Sequence, residues 1–276
     1  MDNRPIGIFD SGLGGLTTVK ALKELMPFEN IIYLGDTGRV PYGPRSRETI
    51  RKYATQNAAF LYSQNIKALV VACNTVCSVA LDAVKEKAEV PVYEVVKTPA
   101  KAAVQSTKNS KIGVIGTAAT IKSGAYEAAL KELNPNILVH AMSCPLFVPL
   151  VEEGWTKPED EIATAVVERY LSELKSSGID TLILGCTHYP LLSGLIQKVI
   201  GEGVTLIDSG AETAGFIAAD LKAKNKLNDN TESKKPAKTQ YFVTDSVESF
   251  LEQAKNYLNC DISSMITKVD LEQKNG

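Results

Sequence analysis

The chain has 276 residues, 44% of them hydrophobic and 22% charged, with a net charge of −2. That is enough apolar material for one large domain or two of about 100–150 residues, and no basic cluster carries the interleaved aromatics of a nucleic-acid surface. No run of about 18 apolar residues is present, which excludes a membrane-spanning helix, and no apolar signal core precedes the first strand-like segment, so the expected compartment is the cytoplasm.

In chain order, short β-branched runs alternate with amphipathic segments. They predict strands over Ile6–Phe9, Ile31–Leu34, Ala68–Ala72, Val90–Tyr93, Lys111–Ile115, Ile137–Ala141, Thr181–Leu184, Thr205–Ile207 and Gln240–Thr244. Helical patterns cover Leu16–Leu25, Arg47–Ser63, Val76–Lys87, Tyr126–Leu133, Glu159–Ser176 and Ala211–Lys224. This alternation is the signature of an α/β fold with mostly parallel sheets and helices on both faces. The polar stretch 225–238, with Pro236 in it, reads as a surface loop.

An internal echo runs through the chain. Ile6 to Gly12 resembles Ile112 to Thr117, and Ala68 to Thr75 resembles Thr181 to His188. The offsets are 106 (112 − 6) and 113 (186 − 73), close enough to suggest a duplicated α/β unit. Each copy then places one cysteine, Cys73 or Cys186, just past the carboxyl end of a strand, where open α/β sheets bind ligands. Facing copies bring the two thiols to one cleft from opposite sides. A cysteine at a helix start also has its thiolate favoured, which predicts a pKa below the free value of about 8.5.

The turn Asp10-Ser11-Gly12-Leu13-Gly14-Gly15 joins a strand to a helix and can aim N–H groups at an anion. It lacks the ending of a Walker loop, and Thr17 stands where a dinucleotide fingerprint needs glycine. Asn74-Thr75, Thr117 with Thr120, and Thr187 repeat the theme of hydroxyls and amides at helix starts, suited to carboxylates. His188 follows Cys186 by two residues and can tune its proton affinity. Asp10 either holds a substrate ammonium or caps the following helix. His140 falls within a strand pattern and reads as structural. The long turn from Gly35 to Gly43 sits between a strand and a helix, where functional loops concentrate.

Five scattered cysteines do not form a disulfide framework. With two histidines and no Cys-x-x-Cys pair, no metal site is expected. Cys77, Cys144 and Cys260 read as packing residues.

The segments Phe9 to Gly15, Pro41-Tyr42-Gly43, Ala72 to Thr75, Gly116 to Thr120, Pro145 to Gly154 and Gly185 to Leu191 resemble, in family order, the signature motifs of the glutamate racemases of the aspartate/glutamate racemase family. The resemblance spans roughly residues 5 to 225. It implies two similar flavodoxin-like domains, related by pseudo-symmetry and facing across a cleft. The first would hold residues 1–97 and 208–276, the second residues 98–207. It also implies interconversion of L- and D-glutamate without pyridoxal phosphate or any other cofactor, supplying D-glutamate for peptidoglycan. In that reading Cys73 deprotonates the D-isomer and Cys186 the L-isomer, assisted by Asp10, His188 and Glu152. Asn74, Thr75, Thr117, Thr120 and Thr187 hold the α-carboxylate and ammonium end, and Ser11, Tyr42 and Gly43 the side-chain carboxylate. The partner is a small molecule, with neither nucleic acid nor membrane; the oligomeric state stays open, a homodimer among the options. Three other readings remain: an aspartate racemase on the same scaffold, a two-lobed solute-binding protein, and a cysteine hydrolase built on a Cys–His pair.

Overall fold

The computed structural model describes residues 1–228, 237–255, 257–258 and 261–272. Cys260 and most of the expected polar loop lie outside them.

Among the described residues, ten strands and twelve α-helices alternate. The first part runs β1 (Ile6–Asp10), α1 (Leu16–Leu25), β2 (Ile31–Gly35), α2 (Arg47–Ser63), β3 (Ala68–Val71), α3 (Asn74–Val79), α4 (Leu81–Glu86) and β4 (Val92–Glu94). The second runs α5 (Lys97–Ser106), β5 (Lys111–Gly116), α6 (Ala118–Ser123), α7 (Ala125–Leu133), β6 (Leu138–Ser143), α8 (Phe147–Glu152), α9 (Glu161–Ser176), β7 (Thr181–Gly185), α10 (Ser193–Ile200) and β8 (Thr205–Asp208). The chain ends with α11 (Ser209–Ala223), β9 (Thr239–Val243), α12 (Val247–Ala254) and β10 (Ile266–Lys268).

The strands form two parallel sheets, ordered β10-β9-β2-β1-β3-β4 and β6-β5-β7-β8. The inner order β2-β1-β3-β4 of the first repeats in the second as β6-β5-β7-β8, with β1 and β3 taking the places of β5 and β7. This is the topological content of the sequence echo. Strands β1, β2, β3 and β7 are buried along their whole length, which is why they read as continuous apolar runs rather than alternating ones.

All nine expected strands are present, within two residues at each end. The helix expected over Val76–Lys87 is two helices, broken at Ala80, whose φ of −142° is not helical. Neither Gly nor Pro marks the break. Both pieces pack on α2, but only α3 also packs extensively on α6 of the other sheet. The helix start expected at Thr117 is that of α6, while strand β10 and helices α5, α8, α10 and α12 add to the segments named from the sequence.

Candidate active site

Both cysteines sit where a strand gives way to a turn. Cys73 follows β3 by two residues and is the N-cap of α3. Cys186 directly follows β7 and leads through Thr187 and His188 into a short 3-10 turn over Tyr189–Leu192, rather than straight into an α-helix. Asp10 ends β1, and Thr117 follows β5 as the N-cap of α6. These positions occupy equivalent carboxyl ends of the central strands in the two sheets.

Four contacts show that these ends face each other. The Thr75 and Thr117 hydroxyl oxygens lie 2.9 Å apart. The Asp10 carboxylate reaches the Thr187 hydroxyl at 3.5 Å. A Cβ on Gly14 would stand 2.2 Å from Thr187 Oγ1 and 2.7 Å from His188 Nδ1, so that backbone approaches as only glycine allows. A Cβ on Gly43 would meet the Thr117 Cβ at 3.1 Å. The thiols between these contacts are buried, Cys73 at 4% and Cys186 at 6% exposure. Cys186 is close enough for its charge to act on Cys73.

The surroundings of the thiols are unequal. Burial is the main influence on Cys73, and with the negative charge of Asp10 and a smaller push from Cys186 it drives the thiol up to about 12. The Val76 N–H and the Ser11 hydroxyl oppose this as donors to the sulfur. The depressed value expected from a helix start is therefore overturned: desolvation outweighs the weak dipole of a six-residue helix of less than two turns. On the other side, Cys186 Sγ lies 3.9 Å from His188 Nδ1, and His188 Nε2 lies 3.2 Å from Glu152 Oε1. Burial pulls the His188 pKa down. Hydrogen bonds to Cys186 and Glu152, with the charges of Cys186 and Asp10, outweigh it and hold the imidazole at about 10. His188 is thus an imidazolium at neutral pH, bridging a thiol and a carboxylate.

Asp10 is fully buried, and its Oδ2 accepts from the N–H groups of Gly12 and Gly15. It braces the glycine turn while standing beside His188. Burial raises its pKa, opposed by His188 and the N–H groups of Gly15, Gly12 and Ser11.

The remaining expected residues divide into two groups. Thr75, Thr117 and Thr120 form a chain of hydroxyls, with Thr117 and Thr120 oxygens 3.0 Å apart. Thr187 and Ser11 are buried within the same junction. Asn74, by contrast, is held within the protein: Tyr126 donates to its Oδ1 at 2.6 Å, and its amide donates to Ser209 at 3.2 Å. The Tyr42 hydroxyl donates to Asp36 and accepts from Asn57, whereas the neighbouring Gly43 approaches Thr117 at the junction. Tyr126 and Ser209 carry no motif that marks them in the sequence. Cys77 is buried and donates to the Val71 carbonyl, Cys144 is buried beneath Tyr189, and His140 lies in β6.

Among the described residues, no group of three or more His, Cys, Asp or Glu is arranged to hold a metal ion, and no helix is long and apolar enough to cross a membrane.

The model of the Asp/Glu/Hydantoin racemase family matches residues 16–217. A glutamate racemase of Geobacter metallireducens is 44% identical over 98% of this chain and 97% of its own. The crystal structure of glutamate racemase isoform RacE1 from Bacillus anthracis superimposes with a TM-score of 0.92 at 42% identity, covering 99% of this chain and 100% of that one. A glutamate racemase from Francisella tularensis, solved with D-glutamate, gives a TM-score of 0.90 at 39% identity, with 99% of each chain covered. With matches of this extent over two like-ordered parallel sheets, the chain belongs to the Asp/Glu/Hydantoin racemase family and is an amino-acid racemase.

Proposed function

We infer that this protein interconverts L- and D-glutamate by moving the Cα proton between Cys73 and Cys186, and that it does so without a cofactor. The observation that carries this reading is the pair of buried thiols at equivalent strand ends of two facing sheets. Inverting a stereocentre by proton transfer requires a base on one face of Cα and an acid on the other, and two opposed thiols form such a pair. When one is thiolate it takes the proton, the other donates one to the opposite face, and the roles are exchanged for the next turnover. Burial favours the neutral thiol at Cys73. That is the protonation state in which Cys186 acts as base on L-glutamate and Cys73 as acid.

No electron sink is required of a cofactor if fixed donors stabilise the carbanion-like transition state. The hydroxyls of Thr75, Thr117, Thr120 and Thr187 and the turn N–H groups around Ser11 and Gly43 are the donors we assign to the two carboxylates. Asn74 contributes by fixing the start of α3. His188, charged and held by Glu152, balances the negative charge at Cys186, and Asp10 attracts the substrate ammonium. Because both thiols are almost fully buried, the Gly14–Thr187 and Gly43–Thr117 contacts must part for substrate to enter. We divide the chain into residues 1–97 with 208–276 and residues 98–207. Helix α5 packs on the second sheet, and α11 returns to pack on α1. The cellular role we assign is supply of D-glutamate for peptidoglycan in the cytoplasm.

The test is proton NMR of L-glutamate with the protein in heavy water. D-Glutamate formed early should carry deuterium at Cα, because the incoming proton comes from a thiol equilibrated with solvent. Aspartate is the control for substrate length. Anchored at Cα it falls one methylene short of the second set of donors, so its kcat/KM should be at least about a hundredfold lower. Tight glutamate binding with no exchange at Cα would instead identify a binding protein.

A further inference from the structure

Because both thiols are buried, substrate must reach them past one of the two facing contacts, Gly43–Thr117 or Gly14–Thr187. The cavities outside these contacts differ in size and in charge. One of about 730 Å³ adjoins Gly43 and is walled by helices of both sheets: Arg45 and Arg47 at the start of α2, Val79 at the end of α3, and Ala119 and Lys122 of α6. Three of its lining residues are cations and none is a carboxylate. Arg47 Nε donates to the Val79 carbonyl at 3.2 Å, which fixes it on the wall. Arg45 and Lys122 are exposed and have no ion-pair partner among the described residues. Thr117, on this side, is half-buried, whereas Thr187, on the other, is buried. The second cavity measures about 160 Å³ and adjoins Gly12 and Leu13, in the same turn as Gly14. Its lining includes Glu152 and Asp245 but no lysine or arginine. Those carboxylates are paired with His188 at 3.2 Å and Lys268 at 3.6 Å, so this side offers an anion no free cation.

We propose that the cavity between Arg45 and Lys122 is the entrance vestibule, which captures the anionic amino acid outside the Gly43–Thr117 contact. The proposal rests on the reading of the buried thiols as the reacting groups. An amino acid with two carboxylates and one ammonium carries a net negative charge. A cleft lined by charge of one sign concentrates ligands of the other sign and speeds their arrival. Once that contact parts, the captured carboxylate passes directly to the Gly43 turn and the Thr117 hydroxyl. Neither Arg45 nor Lys122 is needed after that point, so both act on capture and not on the proton transfer.

The experiment uses Arg45→Ala, Lys122→Ala and the double variant in the full chain, with Asp245→Asn at the second cavity as control. All three positions are exposed, so the fold is kept. Racemisation of glutamate is followed from about 0.01 M to about 0.15 M salt, across which the screening length falls from about 30 Å to about 8 Å. The wild-type kcat/KM should fall as salt rises. The double variant should lose about tenfold in kcat/KM at the low-salt end, the lower end of the range for electrostatic capture. Its kcat should be unchanged and its salt dependence nearly flat, and Asp245→Asn should alter neither. A second measurement needs no turnover. Alkylation of Cys73 and Cys186 is followed by mass spectrometry with anionic iodoacetate and with neutral iodoacetamide. Both reagents meet the same thiolates, so the ratio of their rates reads the charge along the entrance. That ratio should fall about tenfold in the double variant and stay unchanged in Asp245→Asn. An unchanged ratio with parallel salt profiles would overturn the proposal, as would a larger effect of Asp245→Asn. A fall in the ratio in a protein that does not racemise glutamate would overturn the racemase reading and keep the entrance.

Discussion

Thr75 and Thr117 share a hydrogen bond of 2.9 Å between their hydroxyls, one at the start of a helix from the first sheet and the other just beyond a central strand of the second. Neither needs the other to satisfy its own fold, and both border the buried thiols. Thr117 has a second duty, accepting from the Thr120 N–H as the cap of α6. Thr75→Val should raise KM for glutamate about tenfold through loss of one donor to a charged group, with stability little changed. Thr117→Val should raise KM similarly and also cost about 1 kcal/mol for the lost cap. Steady-state kinetics and urea titrations separate the two effects; an unchanged KM in both would remove these hydroxyls from the carboxylate site.

Cys73→Ala and Cys186→Ala should each reduce racemisation by roughly a hundredfold or more, the usual weight of a positioned acid or base. The far-ultraviolet circular dichroism should be unchanged, since each substitution deletes one sulfur. Optical rotation of glutamate solutions follows the activity. Near-normal turnover by either variant contradicts the two-thiol mechanism.

Gly14→Ala should damage activity without replacing any side chain of the site. Its new Cβ would be driven to within 2.2 Å of Thr187 Oγ1 and 2.7 Å of His188 Nδ1. Overpacking of this kind costs about 1–3 kcal/mol, and it displaces the loop that carries Cys186. Gly203→Ala, with nothing within 4 Å of its Cβ, serves as the control. Equal activity of the two variants would mean that the facing loops are not held in this register.

Stability should fall as pH rises, in two windows. His188 is raised from 6.5 to about 10. The folded state thus holds that proton more tightly than the unfolded chain. Its contribution is complete below about pH 6.5 and is lost as pH climbs through the folded value. Cys73, raised from 9.0 to about 12, adds a loss of the same sign further into the alkaline range. His188→Gln should flatten the decline between pH 7 and 9 in urea titrations. A slope equal to that of the wild-type protein would show that His188 is not held charged by its neighbours.

The β-branched and apolar runs marked the nine expected strands, most sharply β1, β2, β3 and β7, because a strand buried on both faces must be apolar at nearly every position whatever lies around it. The same runs carried the echo, and so the shared order of β2-β1-β3-β4 and β6-β5-β7-β8 and the placement of both cysteines at strand ends. Motif resemblance then named the family. The tertiary structure alone decided how each polar atom is used. Tyr42 and Asn74 look alike in the sequence as site residues, yet one hydroxyl turns away to Asp36 and the amide is held by Tyr126 and Ser209. Cys73 was expected to be acidic as a helix cap, but burial beside Asp10 reverses the sign. The break at Ala80 and the meeting of Arg45 and Lys122 around one cavity likewise leave no local trace. The physical reason is common to all of them. Periodicity reports whether a position is buried, whereas a pKa or a hydrogen-bond partner depends on which distant groups share the burial, and those are chosen only when the two sheets are brought face to face.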